Sequence, residues 1–266
     1  MANNKIITTT PTLTTSSNNT SDASGLYKST ATNTGNPTYY FRGNVTNNYV
    51  SFAGFIWRIV RINEDGTIRL IMQDGINNNT NYQFNSNYTN YTYMYYSNSK
   101  AKIVLDNWYQ TNIESKVDLV SKVVDGNYYC EQAKTKYGGD WTSGNATMTL
   151  YSNYAPNFKC STDGNGKGQV NASVGLLTYD EVVYAGGYRE ESNSNYYLYN
   201  PNIYWWTMSS AGVASGNSSI WTVNTSGIVN RNGVAATIIF RAVINLKDDT
   251  QILDGNGTTK NPFILS

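Results

Sequence analysis

Pairs of neighbouring acidic residues are the main groups in this sequence that offer acid–base chemistry. The chain contains no histidine, which removes the usual general base and the commonest metal ligand. Such pairs include residues 180–181, 190–191 and 248–249. Adjacent residues on a strand point to opposite faces, so these pairs do not converge as the two carboxylates of a glycosidase must. We therefore predict no catalytic residue and expect a binding protein rather than an enzyme.

Two cysteines, Cys130 and Cys160, are the other reactive groups. They are too few to supply the four ligands of a structural zinc site, so we predict no metal and no cofactor. In an exported protein they would form a disulfide that closes a loop of about 30 residues and stabilises the fold by roughly 3 kcal/mol. In the cytosol they would be free thiols. We expect the disulfide, and an irregular insertion that it ties near residues 125–170.

Aromatic and uncharged polar residues dominate the composition. The chain has 23 tyrosines, and only 14% of its residues are charged, compared with about 25% in an average soluble protein. Disordered chains lack aromatic residues, so this chain is expected to fold. Tyrosine is favoured at binding surfaces because it offers a large contact area at low entropic cost. The alternative explanation is that tyrosine fills strands, where its propensity is high.

The charge pattern indicates no nucleic-acid partner. The net charge is +1, and lysine and arginine are scattered rather than clustered along a phosphate-binding run. No stretch approaches the roughly 20 apolar residues that span a bilayer, so we predict no transmembrane segment. No signal peptide is recognisable, and we expect the export signal or anchor to be absent from this chain.

Alternating apolar residues predict a mainly β domain. Residues 55–62 alternate well, and Gly66 lies in the turn that leads to the next strand. The predicted strands are residues 39–42, 49–52, 55–62, 67–72, 204–208, 220–223, 228–230, 238–245 and 262–265. Residues 76–98 are rich in asparagine and tyrosine without a helical period, and we predict a long surface loop there.

Two short helices are predicted between the two groups of strands. Ser99 can cap a helix over residues 100–109, whose apolar side would contain Ile103, Leu105 and Trp108. The T-Y-D-E capping box at residues 178–181 begins a second helix, which two glycines end after residue 185. Strands, then helices, then strands indicate an α+β fold with antiparallel sheets.

Residues 1–24 form a tract of threonine, serine and asparagine with almost no charge. Such composition is typical of a stalk or linker. A second interpretation is that Ile6, Ile7 and Leu13, which lie among β-branched threonines, belong to a strand that the tract donates to a neighbouring copy. We therefore expect either a stalk or self-association through residues 6–15, preceding a domain at residues 25–266.

Several short motifs occur in order along residues 25–266. They are residues 25–27 (GLY), 40–44 (YFRGN), 55–62 (FIWRIVRI), 66–70 (GTIRL), 105–109 (LDNWY), 175–181 (GLLTYDE), 206–209 (WTMS), 241–246 (RAVINL), Gly257 and 261–263 (NPF). Together they resemble an uncharacterised domain common in exported proteins of Firmicutes and related low-GC bacteria. Ala242 stands where that family usually has proline. The resemblance implies a C-type-lectin-like fold with paired termini, shared with formylglycine-generating enzymes and retroelement variable proteins.

The resemblance also implies a binding face near the C-terminal end of the domain, where retroelement variable proteins carry their variable residues. The matching stretch is residues 209–236, rich in serine, asparagine and glycine. The residues predicted to bind ligand are Trp205, Ser209, Asn217, Trp221, Asn224, Asn230, Arg231 and Asn232. The alternative is a hairpin whose turns need glycine and asparagine. The two cysteines lie too early for the catalytic pair of a formylglycine-generating enzyme.

Taken together, these features predict a non-enzymatic adhesion or ligand-binding module on a bacterial cell surface. Its partner would be a protein or a glycan on another surface. For a glycan, Trp141, Trp205 and Trp221 are the rings expected to stack on a sugar. The alternative is a structural subunit of an extracellular filament or surface layer, assembled through the N-terminal segment.

Overall fold

The computed structural model describes residues 5–89, 91–126, 128–131, 146–147, 155–160 and 168–266. Within these ranges the chain has a mixed α/β fold of mainly antiparallel sheets with few short helices. The strands are β1 (Ile6–Ile7), β2 (Gly25–Ser29), β3 (Thr38–Arg42), β4 (Tyr49–Phe52), β5 (Phe55–Ile62), β6 (Ile68–Met72), β7 (Asn81–Gln83), β8 (Val123–Val124), β9 (Tyr129–Glu131), β10 (Ala146–Thr147), β11 (Gly168–Val170), β12 (Tyr188–Arg189), β13 (Trp205–Ala214), β14 (Asn217–Val223), β15 (Ile228–Gly233), β16 (Thr237–Ile239), β17 (Val243–Leu246), β18 (Ile252–Asp254) and β19 (Phe263–Leu265). The helices are α1 (Lys100–Tyr109), α2 (Val117–Val120) and α3 (Tyr179–Ala185). Short 3₁₀ helices lie at Ser17–Asn19, Tyr91–Met94 and Tyr96–Asn98, and a π-helix at Gln110–Glu114 continues α1.

Two large sheets contain most of the strands. The first has ten strands in the order β1-β2-β3-β5-β4-β19-β18, and β6, β17 and β8 follow from the other edge of β5. The second has seven strands in the order β12-β15-β14-β13-β16-β7, with β10 beside β13. The last strand, β19, pairs with β4 and β18 rather than with the N-terminal strand. The expectation of paired termini is therefore wrong for the described residues.

The predicted strands correspond to observed ones except at residues 238–245. That run divides into β16 and β17, because the chain crosses there from the second sheet to the first. At the crossing, the carbonyl oxygen of Phe240 accepts a hydrogen bond from the Ile76 amide at 2.9 Å. The surface loop predicted at residues 76–98 is also corrected, since it contains β7 and two 3₁₀ turns that bury Met94 and Tyr96.

Both predicted helices form with the expected caps. The Ser99 hydroxyl accepts a hydrogen bond from the Lys102 amide at 3.0 Å, which begins α1. Leu105 and Trp108 are buried as predicted, but Ile103 is 62% exposed, so the apolar side of α1 is narrower than its sequence pattern suggests. The capping box of Thr178 and Glu181 begins α3, all of whose residues are buried.

Glu181 joins α3 to the first sheet through a buried ion-pair cluster. Its Oε1 atom lies 3.1 Å from Arg61 Nε and 2.7 Å from Arg69 Nε. Its Oε2 atom accepts a hydrogen bond from the Thr178 amide at 2.9 Å. Burial lowers the pKa of Arg61, and the Glu181 carboxylate opposes that effect. The cluster therefore assigns Glu181 to the architecture, as its capping position predicts.

A disulfide joins Cys130 and Cys160, which confirms the predicted pairing. Within the predicted insertion, β9 pairs antiparallel with β11 to form a small third sheet. Trp141, predicted as a sugar-stacking ring, lies outside the described residues. Among the helices that are described, none is long and apolar enough to cross a membrane.

The N-terminal clasp, residues 5–24, packs on the domain of its own chain. Ile6 and Ile7 pair in parallel with Leu26 and Tyr27 and add β1 to the end of the first sheet. Farther along, the Ser17 amide donates a hydrogen bond to the Gly186 carbonyl oxygen at 2.9 Å, at the end of α3. The tract is therefore held against the domain along its length, with its β1 strand paired within the chain.

Candidate functional site

A cavity of about 470 Å³ opens beside β5, β6 and α1. This volume is in the range of small-molecule sites, which is roughly 300–1,000 Å³. Aromatic and apolar side chains form its floor, and amide groups and one carboxylate surround its opening. The lining residues are Phe55, Ile56, Met72, Asp74, Gly75, Asn77, Asn78, Asn79, Trp108 and Asn112.

Two aromatic rings form the floor. The rings of Phe55 and Trp108 lie 5.4 Å apart at an interplanar angle of 53°. Behind them, Trp57 lies 6.3 Å from Trp108 and donates its indole N–H to the Phe52 carbonyl oxygen at 2.9 Å. Trp108 is 4% exposed, and Phe55 is half-buried. The floor is thus fixed by core packing, with the ring of Phe55 facing a ligand and the buried Trp108 supporting that ring from behind.

Three consecutive asparagines form the rim and adopt left-handed backbone conformations. Their φ angles are 48° at Asn77, 56° at Asn78 and 62° at Asn79. Asparagine tolerates this region better than other residues with a side chain, because its short polar side chain bonds locally. All three are exposed. We call residues 77–79 the asparagine turn; its strain is the kind that collects at binding sites.

Local hydrogen bonds fix the asparagine turn. Asn79 Oδ1 accepts a hydrogen bond from the Gly75 amide at 2.6 Å, and Asn77 Nδ2 donates to the Tyr82 hydroxyl at 2.7 Å. Gly75 permits the close packing, since a Cβ atom there would lie 2.1 Å from Ile239 Cγ2. Asn78 lies between these two anchored amides, and we infer that its amide is the one most available to a ligand.

Asp74 places a carboxylate at the same rim, in front of a buried cation. Arg241 is fully buried behind the floor and donates from Nε to the Met72 carbonyl oxygen at 2.9 Å. Burial is the main reason that the pKa of Arg241 is lowered to about 10, and neighbouring Arg58 adds to it. Asp74 opposes that shift by its negative charge. The exposed Asp74 carboxylate therefore offsets part of the shift at Arg241, and its oxygens are able to accept hydrogen bonds from a ligand.

The chemistry of the cavity suits recognition. Amide side chains donate and accept hydrogen bonds, and a carboxylate accepts them, so the rim matches a ligand rich in hydroxyl groups. Among the described residues that line the cavity, Asp74 is the only acidic one, whereas glycoside hydrolysis requires two. The described part of the chain contains no cluster of three or more histidine, cysteine, aspartate or glutamate side chains placed to hold a metal.

Three of the residues predicted to bind ligand are buried. Trp205, Ser209 and Trp221 are 1%, 0% and 6% exposed. The ring of Trp221 packs 5.1 Å from that of Tyr179, and the Ser209 hydroxyl accepts a hydrogen bond from the Tyr179 amide at 2.8 Å. Arg241 stacks over Trp205 at 5.0 Å. These side chains hold α3 and the second sheet in place inside the protein. They are therefore not available to contact a ligand, and their prediction as ligand-binding residues is corrected.

The other five predicted residues lie on β14, β15 and the turn between them, away from the cavity. Asn217 and Arg231 are exposed, and Asn224, Asn230 and Asn232 are partly exposed. Asn224 Oδ1 accepts hydrogen bonds from the backbone amides of residues 226 and 228, so it shapes the hairpin turn. A role for these residues in binding stays a prediction, because none is among the described residues that line the cavity.

The sequence carried a signal for the cavity that the prediction of a surface loop missed. Asp74 and Gly75 begin one residue after the buried strand β6, and the three asparagines follow after Ile76. A glycine and a run of asparagines mark positions that favour positive φ. The signal identifies a special turn but does not reveal that Phe55 and Trp108 meet beneath it.

Comparison with known proteins gives no further guide. No protein-family model, curated protein or solved structure matches this chain significantly. The functional proposal below therefore depends on the geometry of the described residues.

Proposed function

We propose that this chain is a non-enzymatic carbohydrate-binding module that works outside the cytoplasm, and that its ligand occupies the cavity beside the asparagine turn. The observation that carries the proposal is the pairing of an aromatic floor with an amide and carboxylate rim. A sugar ring presents an apolar face and a set of hydroxyl groups. The half-buried ring of Phe55, supported by Trp108, matches the face, and Asp74 and Asn78 match the hydroxyls.

Two further observations support a binding role in an oxidising compartment. The Cys130–Cys160 disulfide is typical of exported proteins. The lack of histidine and the single described carboxylate in the cavity favour recognition over hydrolysis. A C-type-lectin-like domain on a bacterial cell surface, as the sequence resemblance implies, is the setting that we propose for this activity.

The test is a titration of the purified chain with cellobiose, chitobiose, mannobiose and maltose, monitored by tryptophan fluorescence and calorimetry. We expect at least one disaccharide to bind. Asp74→Asn should weaken that binding by roughly tenfold, because a hydrogen bond to a charged group contributes about 1.5–3 kcal/mol. Asn78→Gly should weaken it by roughly fivefold, since it removes one neutral hydrogen bond worth about 1 kcal/mol while it permits the left-handed backbone.

Ser215→Gly is the matched control. Ser215 is exposed and has a φ of 50°, but it lies on the hairpin between β13 and β14. This variant should bind as the parent chain does. The proposal fails if none of the disaccharides binds, or if Asp74→Asn and Asn78→Gly bind as tightly as Ser215→Gly.

A further inference from the structure

We propose that the clasp, residues 5–24, exchanges between copies of this chain, so that the groove beneath it is a docking surface for the clasp of a second copy. The proposal is independent of the sugar cavity, since it depends on other residues. It rests on the chemistry of the groove, on the small size of the β1 pairing and on the exposed connection between the clasp and β2.

The apolar part of the groove is a cluster of aromatic rings. The rings belong to Tyr27, Tyr40, Phe158 and Tyr184. Phe158 and Tyr184 stack at 4.1 Å, and Tyr40 meets Tyr184 edge-on at 4.8 Å. Ile7 and Leu13 of the clasp pack against this cluster. Without the clasp the rings would face water, so the groove favours an occupant with aliphatic side chains at this spacing.

Arg42 forms the polar centre of the groove. It is fully buried, and its Nη1 atom donates to the Val183 carbonyl oxygen at the end of α3, 2.8 Å away. From the clasp, the Thr12 carbonyl oxygen accepts from Arg42 Nη2 at 2.7 Å, and the Asp22 carboxylate forms an ion pair at 3.1 Å. In an empty groove the guanidinium would keep its bond to α3 but exchange both clasp partners for water. The groove therefore favours an occupant with a carbonyl and a carboxylate.

The far end of the groove binds the clasp through Glu191 and Gly186. Glu191 Oε2 accepts hydrogen bonds from Thr15 Oγ1 at 2.6 Å, the Ser16 amide at 2.9 Å and Asn19 Nδ2 at 2.8 Å. Gly186 has a φ of 123°, and a Cβ atom there would lie 2.4 Å from the Ser17 hydroxyl. The surface is thus shaped for this particular segment, and every copy of the chain offers the same surface.

The clasp is attached to the first sheet by a short strand and to β2 by an exposed connection. Its strand contributes two residue pairs to the sheet, and a cavity of about 440 Å³ remains between clasp and domain. Residues 23–24, which connect the clasp to β2, are exposed. Local opening about this connection exposes both a clasp and a groove, and a second open copy satisfies each of them with the same contacts. The partner that fits is therefore another copy of the chain.

Cross-linking between two full-length variants tests the exchange. One variant is Thr15→Cys and the other is Glu191→Cys, because these side chains touch when the clasp is docked. The two are mixed, incubated at high concentration and treated with a short bismaleimide. We expect at least about tenfold more cross-linked heterodimer than from a control mixture of Thr15→Cys with Asp254→Cys, since docking raises the local concentration of one cysteine at the other.

The double variant Thr15→Cys with Glu191→Cys in one chain calibrates the reaction. It should cross-link within the chain, which shows that the linker spans the two positions when the clasp is docked. The proposal is overturned if the double variant cross-links within the chain while the mixed variants give no more heterodimer than the control mixture. It is equally overturned if the yield of heterodimer does not rise with protein concentration.

Discussion

The cavity beside the asparagine turn and the groove beneath the clasp differ in what closes them. The cavity is walled by β5, β6 and α1, which are fixed by ladder hydrogen bonds and core packing. The groove is closed by a segment attached through two strand pairs and a set of side-chain hydrogen bonds. The cavity is therefore preformed for a molecule from outside, whereas the groove already has an occupant of matching chemistry. If both proposals hold, one domain recognises a foreign ligand and its own segment by separate surfaces.

The largest effect should come from Arg42→Met, which breaks the groove but not the cavity. Arg42 is buried and joins the clasp to α3. Removing one partner of a buried ion pair costs about 3–5 kcal/mol. We expect that loss in the free energy of unfolding, measured by urea denaturation, and unchanged sugar affinity in the protein that remains folded.

Arg231→Met is the matched control for that change. Arg231 is exposed on β15, so its replacement should alter the free energy of unfolding by less than about 0.5 kcal/mol. If Arg42→Met were as mild as Arg231→Met, Arg42 would not be the centre of the groove.

An intermediate effect is expected in the cavity rim, from the backbone of the asparagine turn. Asn78 has a φ of 56°, which a β-branched residue adopts at a cost of about 1–3 kcal/mol. Asn78→Val should therefore lower the free energy of unfolding by that amount, and Asn78→Gly should leave it nearly unchanged. Thermal unfolding of the two variants distinguishes them, and equal stability would contradict a left-handed turn.

The smallest effect should be a pH dependence confined to the clasp. Burial raises the pKa of Glu191, but hydrogen bonds from Thr15, Ser16 and Asn19 outweigh burial and leave that pKa below its ordinary value of 4.5. A carboxylate with a lowered pKa stabilises the folded state above its ordinary value, and that stabilisation disappears as pH falls through the lowered pKa. Clasp docking should thus weaken under acidic conditions below about pH 4.5.

Hydrogen exchange at the amides of Ser16 and Ser17 measures this release. Protection should decrease with acid in the parent chain beyond the intrinsic change in exchange rate. In Glu191→Gln the decrease should be absent, because the titrating group has been removed. A parent chain whose clasp protection does not respond to acid would show that Glu191 does not hold the clasp.

The secondary structure followed from local signals in the sequence. Thr178 and Glu181 identified the start of α3, and Ser99 identified the start of α1, because capping depends on residues within one turn. The period-two alternation of residues 55–62 identified β5. These features depend on neighbours along the chain, which is why the sequence was sufficient to predict them.

The candidate site depended on contacts that no local pattern contains. Strand alternation gave no indication that Trp205 and Trp221 face Arg241 and Tyr179 instead of water. Nearly every residue of β13 is buried, so both faces of the strand lie inside the protein and neither faces water. The meeting of Phe55 with Trp108 likewise joins β5 to α1 across a long sequence separation. Such pairs are set by tertiary packing, which overrides the composition of a segment.

The most direct test of the account is a map of backbone amide chemical shifts during titration with the disaccharide that binds best. We expect the largest shifts at residues 74–79 and 108–112, around the aromatic floor and the asparagine turn. Little change is expected at residues 217–232, the hairpin that carries the face predicted from the sequence. Shifts concentrated on that hairpin, with residues 74–79 unaffected, would contradict the assignment of the cavity as the binding site.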